Sequence, residues 1–400
     1  MLQSLIDRTF KTRAIAVRLP GGKTLKAGPG APELTAVIEN HATLMAIAAN
    51  PELKLGEAYM AGGFRIEGGD IYDFLALTAS QLVRTHRPLG FGWRLKRAFE
   101  QANDRLHARS NVHHHYDLTV DFYRLFLDED LQYSCAVFET PQATLEQAQV
   151  AKKRRLIDKL VLSRGQRALD IGCGWGGLGL SLAEAGAQVT GVTLSTEQHR
   201  TAIDRAAARG LSDRAAFRLQ DYRDLTQPFD RIVSVGMFEH VGVPNYQEYF
   251  DNIARLLTDD GVAVVHSIGR KSPPSRTQPW VRKHIFPGGY IPALSEVFPA
   301  IERSGLWVTD MEILRLHYAE TLKEWRARFL ARRAEAVAMY DERFCRMWEF
   351  YLASSEVAFR EVGHMVFQLQ LTKRQEAVPL TRDYLCRTAS AESGMVGDVA

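Results

Sequence analysis

The chain has 400 residues, 46% of them hydrophobic and 24% charged, with 50 basic against 47 acidic side chains and a formal net charge of +3. That length predicts two or three domains, and the average composition excludes general disorder. The charge balance is too slight to define a partner, and nothing in it points to nucleic acid. Apolar stretches such as Gly261–Val265 fall far short of the ~20 residues a bilayer span needs. Asp7 and Arg8 stand where a secretory signal would be apolar, so the start reads as that of a cytoplasmic protein. The four cysteines, Cys135, Cys173, Cys345 and Cys386, are scattered without a Cys-x-x-Cys pair, which reads as reduced and without a zinc ribbon.

Residues 1 to 80 mix short apolar runs with turn signals such as Leu19-Pro-Gly-Gly-Lys23, Gly28-Pro-Gly30 and Gly62-Gly63, the punctuation of a small mixed domain. Segment 81–110 differs. It sets Arg84, Arg87, Arg94, Lys96, Arg97, Arg105 and Arg109 against Glu100 and Asp104, interleaved with Leu82, Phe91, Trp93 and Phe99. Taken alone it reads either as a solvated linker helix or as a surface for an anionic membrane. From Leu160 onward strands alternate with helices. Strands are expected at Arg167–Ile171, Gln188–Thr193, Ala215–Gln220, Arg231–Val235 and Val262–His266, with helices at Leu178–Ala185, Thr196–Ala208 and Tyr246–Leu257. That alternation predicts a doubly wound parallel sheet. The Arg-rich remainder, 270–400, is expected to be mostly helical, with helices over Thr321–Met339 and Asp341–Phe359.

Asp170-Ile-Gly-Cys-Gly-Trp-Gly-Gly177 falls at the first strand-to-helix turn, where open α/β sheets bind ligands. Gly172, Gly174 and Gly177 satisfy the dinucleotide spacing, yet two features oppose a dinucleotide. Asp170 is badly placed beside a pyrophosphate and well placed for the ammonium of an amino acid. The second strand ends in Thr193 rather than in a ribose-binding acid. S-adenosylmethionine, cationic and without phosphate, fits better. Glu239 and His240 follow the fourth strand and His266 closes the fifth, so an acid and two imidazoles converge on the glycine loop and could handle protons. His113-His114-His115 lacks the spacing of a metal site, and none is expected there. Gln132-Tyr-Ser-Cys-Ala136 could close over a ligand.

These blocks resemble a known family. His115-Tyr-Asp-Leu118, Gln132-Tyr-Ser-Cys135, Leu169-Asp-Ile-Gly-Cys-Gly-Trp-Gly176, Gly191-Val-Thr-Leu-Ser-Thr-Glu-Gln198, Phe229 to Gly242 and Phe286-Pro-Gly-Gly289 recur, in this order, in the cyclopropane-fatty-acyl-phospholipid synthases and the related mycolic acid cyclopropane synthases. Glu57 to Phe64 fits that family's N-terminal domain. The resemblance implies a Rossmann-like S-adenosylmethionine-dependent methyltransferase, with a smaller N-terminal domain and a helical C-terminal elaboration. It implies methylene transfer to the cis double bond of unsaturated phospholipid acyl chains, with bound bicarbonate as the base. By motif position, Cys135, Glu239, His266, the backbone at Ile268 and Tyr318 would hold the bicarbonate. Tyr133, Ser134, Asp170, Gly172, Gly174, Thr193, Leu194, Gln198, Tyr222 and Arg223 would hold the cofactor.

With a lipid substrate implied, segment 81–110 reads as part of a membrane-docking module: residues 1–110 the docking domain and basic linker, residues 111–400 the catalytic domain. A peripheral protein on the inner face of the membrane is expected, and a homodimer could engage two basic patches. One position departs from the family. Ser355 stands where many members carry a cysteine, and a serine supplies no thiolate, so either the chemistry needs no covalent cysteine, which bicarbonate catalysis allows and which is the favoured reading, or this protein is altered. A methylenated or methyl-branched product, a small-molecule methyltransferase and a non-catalytic lipid-binding protein are the competing readings. The last would need a damaged cofactor loop, and Asp170 to Gly177 are intact in sequence.

Overall fold

The computed structural model of the chain describes residues 2–81 and 118–385. The basic stretch with Arg94, Lys96 and Arg97, the triplet His113–His115, and Cys386 lie outside the described residues. In chain order the elements begin with α1 (Leu2–Thr9), β1 (Ile15–Arg18), β2 (Thr24–Ala27), β3 (Leu34–Ile38), α2 (His41–Ala49), α3 (Pro51–Met60), β4 (Phe64–Glu67) and α4 (Ile71–Gln81). They continue with α5 (Val120–Tyr123), α6 (Leu145–Lys159), β5 (Arg167–Ile171), α7 (Gly177–Glu184), β6 (Gln188–Thr193), α8 (Thr196–Ala208), β7 (Ala215–Leu219), β8 (Phe229–Val235) and α9 (Tyr246–Leu256). The last are β9 (Leu257–Arg270), α10 (Pro279–His284), α11 (Leu294–Ser304), β10 (Trp307–Leu314), α12 (His317–Ala331), α13 (Arg333–Met339), α14 (Glu342–Val357) and β11 (His364–Thr372). None of the described helices is long and apolar enough to cross a membrane.

These residues form two compact units, each discontinuous in sequence: one within 1–135, 268–295 and 314–366, the other within 136–267, 296–313 and 367–385. In the first, four strands pair in the order β2-β1-β3-β4. Pro20 and Gly21 occupy the centre of the turn joining β1 to β2, closed by the Gly22 N–H on the Leu19 carbonyl at 3.0 Å. Gly21 takes φ +86, the left-handed conformation a type II turn demands at that position. Helix α14 packs on α3, α4 and α12, its first turn capped by the Asp341 carboxylate, which accepts from the Phe344 N–H at 2.6 Å.

The second unit carries the expected α/β core. Its sheet runs β10-β11-β9-β8-β5-β6-β7, with β5 parallel to both β6 and β8 and β8 parallel to β9. The chain leaves β5 toward β6 and β7, then returns to the other side at β8. That reversal creates the crevice where such sheets take ligands. The expected strands and helices from Arg167 to Leu256 are present within a few residues of their predicted bounds.

Three expectations need refinement. The described part of 270–400 is mostly helical, as expected, but it also holds β10 and β11, which complete the sheet. In β11 both faces are buried, with Gln368, Gln370 and Thr372 alternating with Phe367, Leu369 and Leu371, so polar residues break up the apolar run that marks a central strand. The helix over Thr321–Met339 divides at Arg332, whose guanidinium donates to the Arg124 carbonyl at 3.0 Å. Strand β9 extends past His266 to Arg270, so His266 lies within the strand rather than at its end.

Gly56 on α3 shows how tightly the first unit is packed. A β-carbon there would stand 2.5 Å from Nε1 and 2.6 Å from Cδ1 of the fully buried Trp280. Gly56→Ala would gain about 1 kcal/mol of helix propensity and lose about 1–3 kcal/mol to overpacking. The variant is therefore expected to unfold at lower urea concentration than the wild type. An equal or higher midpoint would show that Trp280 yields at no cost.

Candidate active site

The glycines of the loop after β5 divide into two kinds. Gly172, Gly174 and Gly176 all have positive φ, at +77, +53 and +82. A β-carbon on Gly176 would press on Phe217 at 2.9 Å and Ala202 at 3.0 Å, so this glycine serves helix–sheet packing. One on Gly174 would meet nothing within 4 Å, and the same holds for Gly236 at the end of β8, where φ is +66. Those two positions leave the backbone open to a ligand. The loop is fixed from behind by the Gly172 and Cys173 N–H groups on the Val192 carbonyl at 2.9 and 3.0 Å. Trp175 is braced at both ends: its indole donates to Glu197 at 3.0 Å and its carbonyl accepts from Arg205 at 2.7 Å.

Asp170 is 2% exposed, and its Oδ2 has no hydrogen-bond partner. Burial pushes the carboxyl up to about 7, against the Gly179 amide and the Lys152 charge, which lower it. An unsatisfied buried carboxylate oxygen beside an open glycine backbone suits the ammonium of an amino acid and repels a phosphate. At the end of β6, Thr193 donates to Gln198 Oε1 at 3.0 Å, which leaves the NH₂ end of that amide as a donor. Ser195 caps α8 by accepting from the Gln198 N–H at 3.3 Å, and Leu194 sits between these two polar positions. Asp221 grips the Arg223 guanidinium at 3.0 and 2.7 Å, so the Tyr222 ring, edge-on to Tyr249, is what this turn can offer to a flat ligand. These residues fit S-adenosylmethionine.

Along the next strands, Val235 pairs with His266 and the Gly236 N–H donates to the His266 carbonyl at 2.9 Å. The His266 ring is 2% exposed, and the Gln368 amide nitrogen lies 3.0 Å from Nδ1. Burial, with the charges of Lys152 and Lys159, lowers the ring to about 3, so it is neutral at physiological pH. Glu239 is buried in the short turn Phe238–His240, whose Phe238 stacks on Tyr246 at 4.4 Å. The second unit thus holds Asp170, Thr193, Gln198, Tyr222, Glu239 and His266 along the carboxyl edge of one sheet.

Of the other sequence-predicted residues, Tyr133, Ser134, Cys135, Ile268 and Tyr318 belong to the first unit. The Tyr133 and Tyr351 hydroxyls are 2.9 Å apart, and Tyr133 stacks on Trp325 at 5.2 Å. Burial pushes Tyr351 up to about 12 and Tyr133 well above its usual value, so both hydroxyls stay protonated. Tyr318 lies edge-on to Trp325 at 5.8 Å and 4.8 Å from Phe359. Ser134 and Cys135 are buried, and Ile268 is partly so. The loop that carries them is shaped by Asp128, which accepts from the Gln132 N–H at 2.9 Å, with Leu131 at φ +56. Ser355 is partly buried on α14, beside a buried Glu356 held by Arg326 at 3.1 Å and Arg360 at 3.0 Å. Sequence reasoning missed Lys152, Gly236, Trp325, Tyr351 and Gln368. Lys152 alone left a signal, as a lysine on the apolar side of a helix.

A parallel α/β sheet with a buried acid at its glycine loop defines an S-adenosylmethionine-dependent methyltransferase. A family profile described as Mycolic acid cyclopropane synthetase matches residues 103–369, and one described as Domain of unknown function (DUF7884) matches residues 1–82. The chain belongs to the mycolic acid cyclopropane synthetase family, and its enzyme class is that of the cyclopropane-fatty-acyl-phospholipid synthases. It is 38% identical to the cyclopropane-fatty-acyl-phospholipid synthase of Escherichia coli, over 81% of this chain and 84% of that protein. It is 34% identical to a "Probable fatty acid methyltransferase" of Pseudomonas putida, over 93% of this chain and 96% of that one. Among solved structures, mycolic acid cyclopropane synthase CmaA1 complexed with SAH and CTAB superposes with a TM-score of 0.62 at 35% identity, covering 66% of this chain and 97% of that one.

Three buried groups set a pH dependence of stability. The rings of His266 and His240 are lowered by burial to about 3 and about 4, so below pH 6.5 the unfolded chain binds two protons the folded one refuses. Asp170, raised to about 7, works the other way, because the folded chain takes up a proton first as the pH falls. The net is one proton favouring the unfolded state. Cofactor-free protein should lose about 1.4 kcal/mol of stability per pH unit between roughly pH 6 and pH 4.5. Urea unfolding across that range checks this, and a flat midpoint would contradict it.

Proposed function

We propose that this enzyme transfers a methylene group from S-adenosylmethionine to the cis double bond of an unsaturated phospholipid acyl chain, closing a cyclopropane ring. The observation that carries this reading is the burial of Glu239 and a neutral His266 on the same sheet edge as Asp170 and its glycine loop. The π electrons of the alkene form a carbon–carbon bond to the sulfonium methyl as the carbon–sulfur bond breaks, leaving a carbocation in the chain. Loss of a proton from the added methyl lets its electron pair close the ring. Asp170 holds the donor's ammonium, and Gln198 and Thr193 take its ribose in place of an acid. Bicarbonate, when bound, supplies the base. It has one O–H donor and several acceptor oxygens, and the set proposed to hold it matches that. Glu239 accepts, while His266, the Ile268 N–H, Tyr318 and Cys135 can donate. Such a mechanism needs no thiolate, which agrees with serine at position 355.

The fatty acid methyltransferase of Pseudomonas putida matches a larger share of the chain than the synthase of Escherichia coli does, 93% against 81%. That favours a second reading: the same carbon–carbon bond formation, with the cation losing a proton elsewhere to give a methylenated chain, or taking a hydride from a separate reductant such as a reduced nicotinamide or flavin to give a methyl branch. In either reading the substrate sits in a membrane. Peripheral docking at the cytoplasmic face through residues 1–110, as a homodimer, completes the proposal.

Incubation of the purified protein with S-adenosylmethionine, bicarbonate and vesicles of monounsaturated phospholipid tests it, with mass analysis of the released acyl chains and sedimentation of the protein with the vesicles. Chains heavier by one methylene that co-elute with a cyclopropane standard are expected, along with protein in the pellet. The same mass at another retention time, or two further hydrogens once a reduced nicotinamide or flavin is added as hydride donor, would select the second reading. Unaltered chains with the cofactor shown to bind would overturn both, and protein left in the supernatant would overturn the docking. In addition, Glu239→Gln removes the negative charge and replaces one acceptor oxygen by an NH₂ donor, and should cut turnover by about 100-fold or more while cofactor affinity holds. Undiminished turnover would remove Glu239 from the mechanism.

A further inference from the structure

Helix α6 buries two lysines. Leu145, Ala148, Gln149, Lys152, Leu156 and Lys159 form its inward face, and Lys152 is 0% and Lys159 1% exposed. A fully buried ammonium is strongly unfavourable unless nearby negative charge compensates it. For Lys159 that charge comes from Glu312 at 2.7 Å and Asp310 at 3.4 Å. Just past the end of α6, the Val161 carbonyl accepts from Arg231 at 2.9 Å, and Arg231 stands at the start of β8. The end of α6 therefore lies at the amino edge of the sheet. At about 1.5 Å per residue, Lys152 lies about 10 Å back along the helix, toward the carboxyl edge that carries Asp170 and His266. Its charge is felt at both.

Asp170 is the acid that this lysine can serve. Its partners across β6 and β8, Gly191 and Val233, do not titrate. From α7 it receives the field of the Gly179 amide, and the loop contributes the Cys173 thiol, which burial keeps protonated. From α6 comes the Lys152 ammonium. We propose that Lys152 is a positioning residue whose ammonium keeps Asp170 ionised in its buried setting, and so sets the lowest pH at which the enzyme takes up its cofactor. The inference rests on the reading of Asp170 as acceptor of the cofactor's ammonium. Burial raises Asp170 to about 7 while Lys152 pulls it down. Affinity is therefore present above that value and lost as the pH falls through it, and removal of Lys152 moves the loss to higher pH.

Calorimetric titration of the full chain with S-adenosylhomocysteine, which keeps the same ammonium, tests this between pH 6 and pH 8.5 without reference to activity. Wild-type affinity should fall about tenfold per pH unit below about pH 7. In Lys152→Met the fall should begin at higher pH, giving binding several-fold weaker than wild type at pH 7 and affinity within about twofold of wild type at pH 8.5. Lys152→Arg should restore the wild-type profile. Equal weakening of Lys152→Met at every pH, or an unchanged profile, would overturn the role of Lys152. Should the methionine variant fail to fold, Lys152→Gln carries the same expectations. Asp170→Asn separates the two layers. If it binds like wild type at every pH, the reading of Asp170 itself falls. If it binds weakly and without pH dependence while Lys152→Met matches wild type, only the lysine's role falls.

Discussion

Asp170, Glu239, His266 and Lys152 are ionisable side chains taken almost wholly out of water within one unit of the fold. Removing such groups from solvent is costly, so the scaffold that keeps them there must be rigid and must supply hydrogen bonds or opposite charge in place of water. The parallel sheet does this by construction. Strands β5 and β8 end side by side while β9 runs on to Arg270, and the register places Val235 against His266, whose carbonyl still accepts from the Gly236 N–H. The crevice between β5 and β8 follows from the crossover alone. The chemistry of the crevice follows from which residues stand at that level of each strand, as Asp170 and His266 do, or in the turn just beyond it, as Glu239 does.

This explains why part of the molecule was legible from sequence. Strands β5 to β8 are short apolar runs bounded by glycines and followed by amphipathic helices, so periodicity and punctuation agree. Thr196–Ala208 was delimited correctly because Ser195 caps it and the chain beyond it turns at Gly210. The same rules miss β10 and β11. Gln368 and Gln370 look like surface residues until their partners are known: the His266 ring for one, the Lys159 carbonyl for the other at 2.5 Å. Those contacts join positions about 100 and 200 residues apart, and no local pattern encodes them. Asp170 was legible because the loop that follows it has a recognisable form. Lys152 left only the signal of a lysine on the apolar side of a helix, and what that lysine serves emerges only from the helix packing of the folded chain.

In the first unit, aromatic rings take the place that charge has in the second. Tyr133, Trp325, Tyr318 and Phe359 make successive ring contacts of 4.8–5.8 Å, and Tyr351 ties its hydroxyl to that of Tyr133. Ring faces exclude water and can stabilise positive charge without adding a base. Ser355, on the same helix as Tyr351, carries no thiol. Its neighbour Glu356 has both oxygens occupied by arginines, which holds a buried carboxylate in place and keeps it from acting as a base.

The two kinds of glycine in the cofactor loop draw these strands together. Gly176 is required because Phe217 and Ala202 press against it, and its replacement would disturb the junction of α7, α8 and β7. Gly174 has empty space where its side chain would be, so packing does not explain it. Its φ of +53 lies in the left-handed region that a non-glycine residue enters at a cost, and a side chain there would meet nothing within 4 Å. A conformation that is unfavourable for most residues and that side-chain packing does not require leaves bare backbone exposed, one loop residue from Asp170–Gly172 and beside an acid with one oxygen unsatisfied. The sheet supplies the place, the glycine supplies access, and an unsatisfied carboxyl oxygen on Asp170 suits an ammonium better than a phosphate.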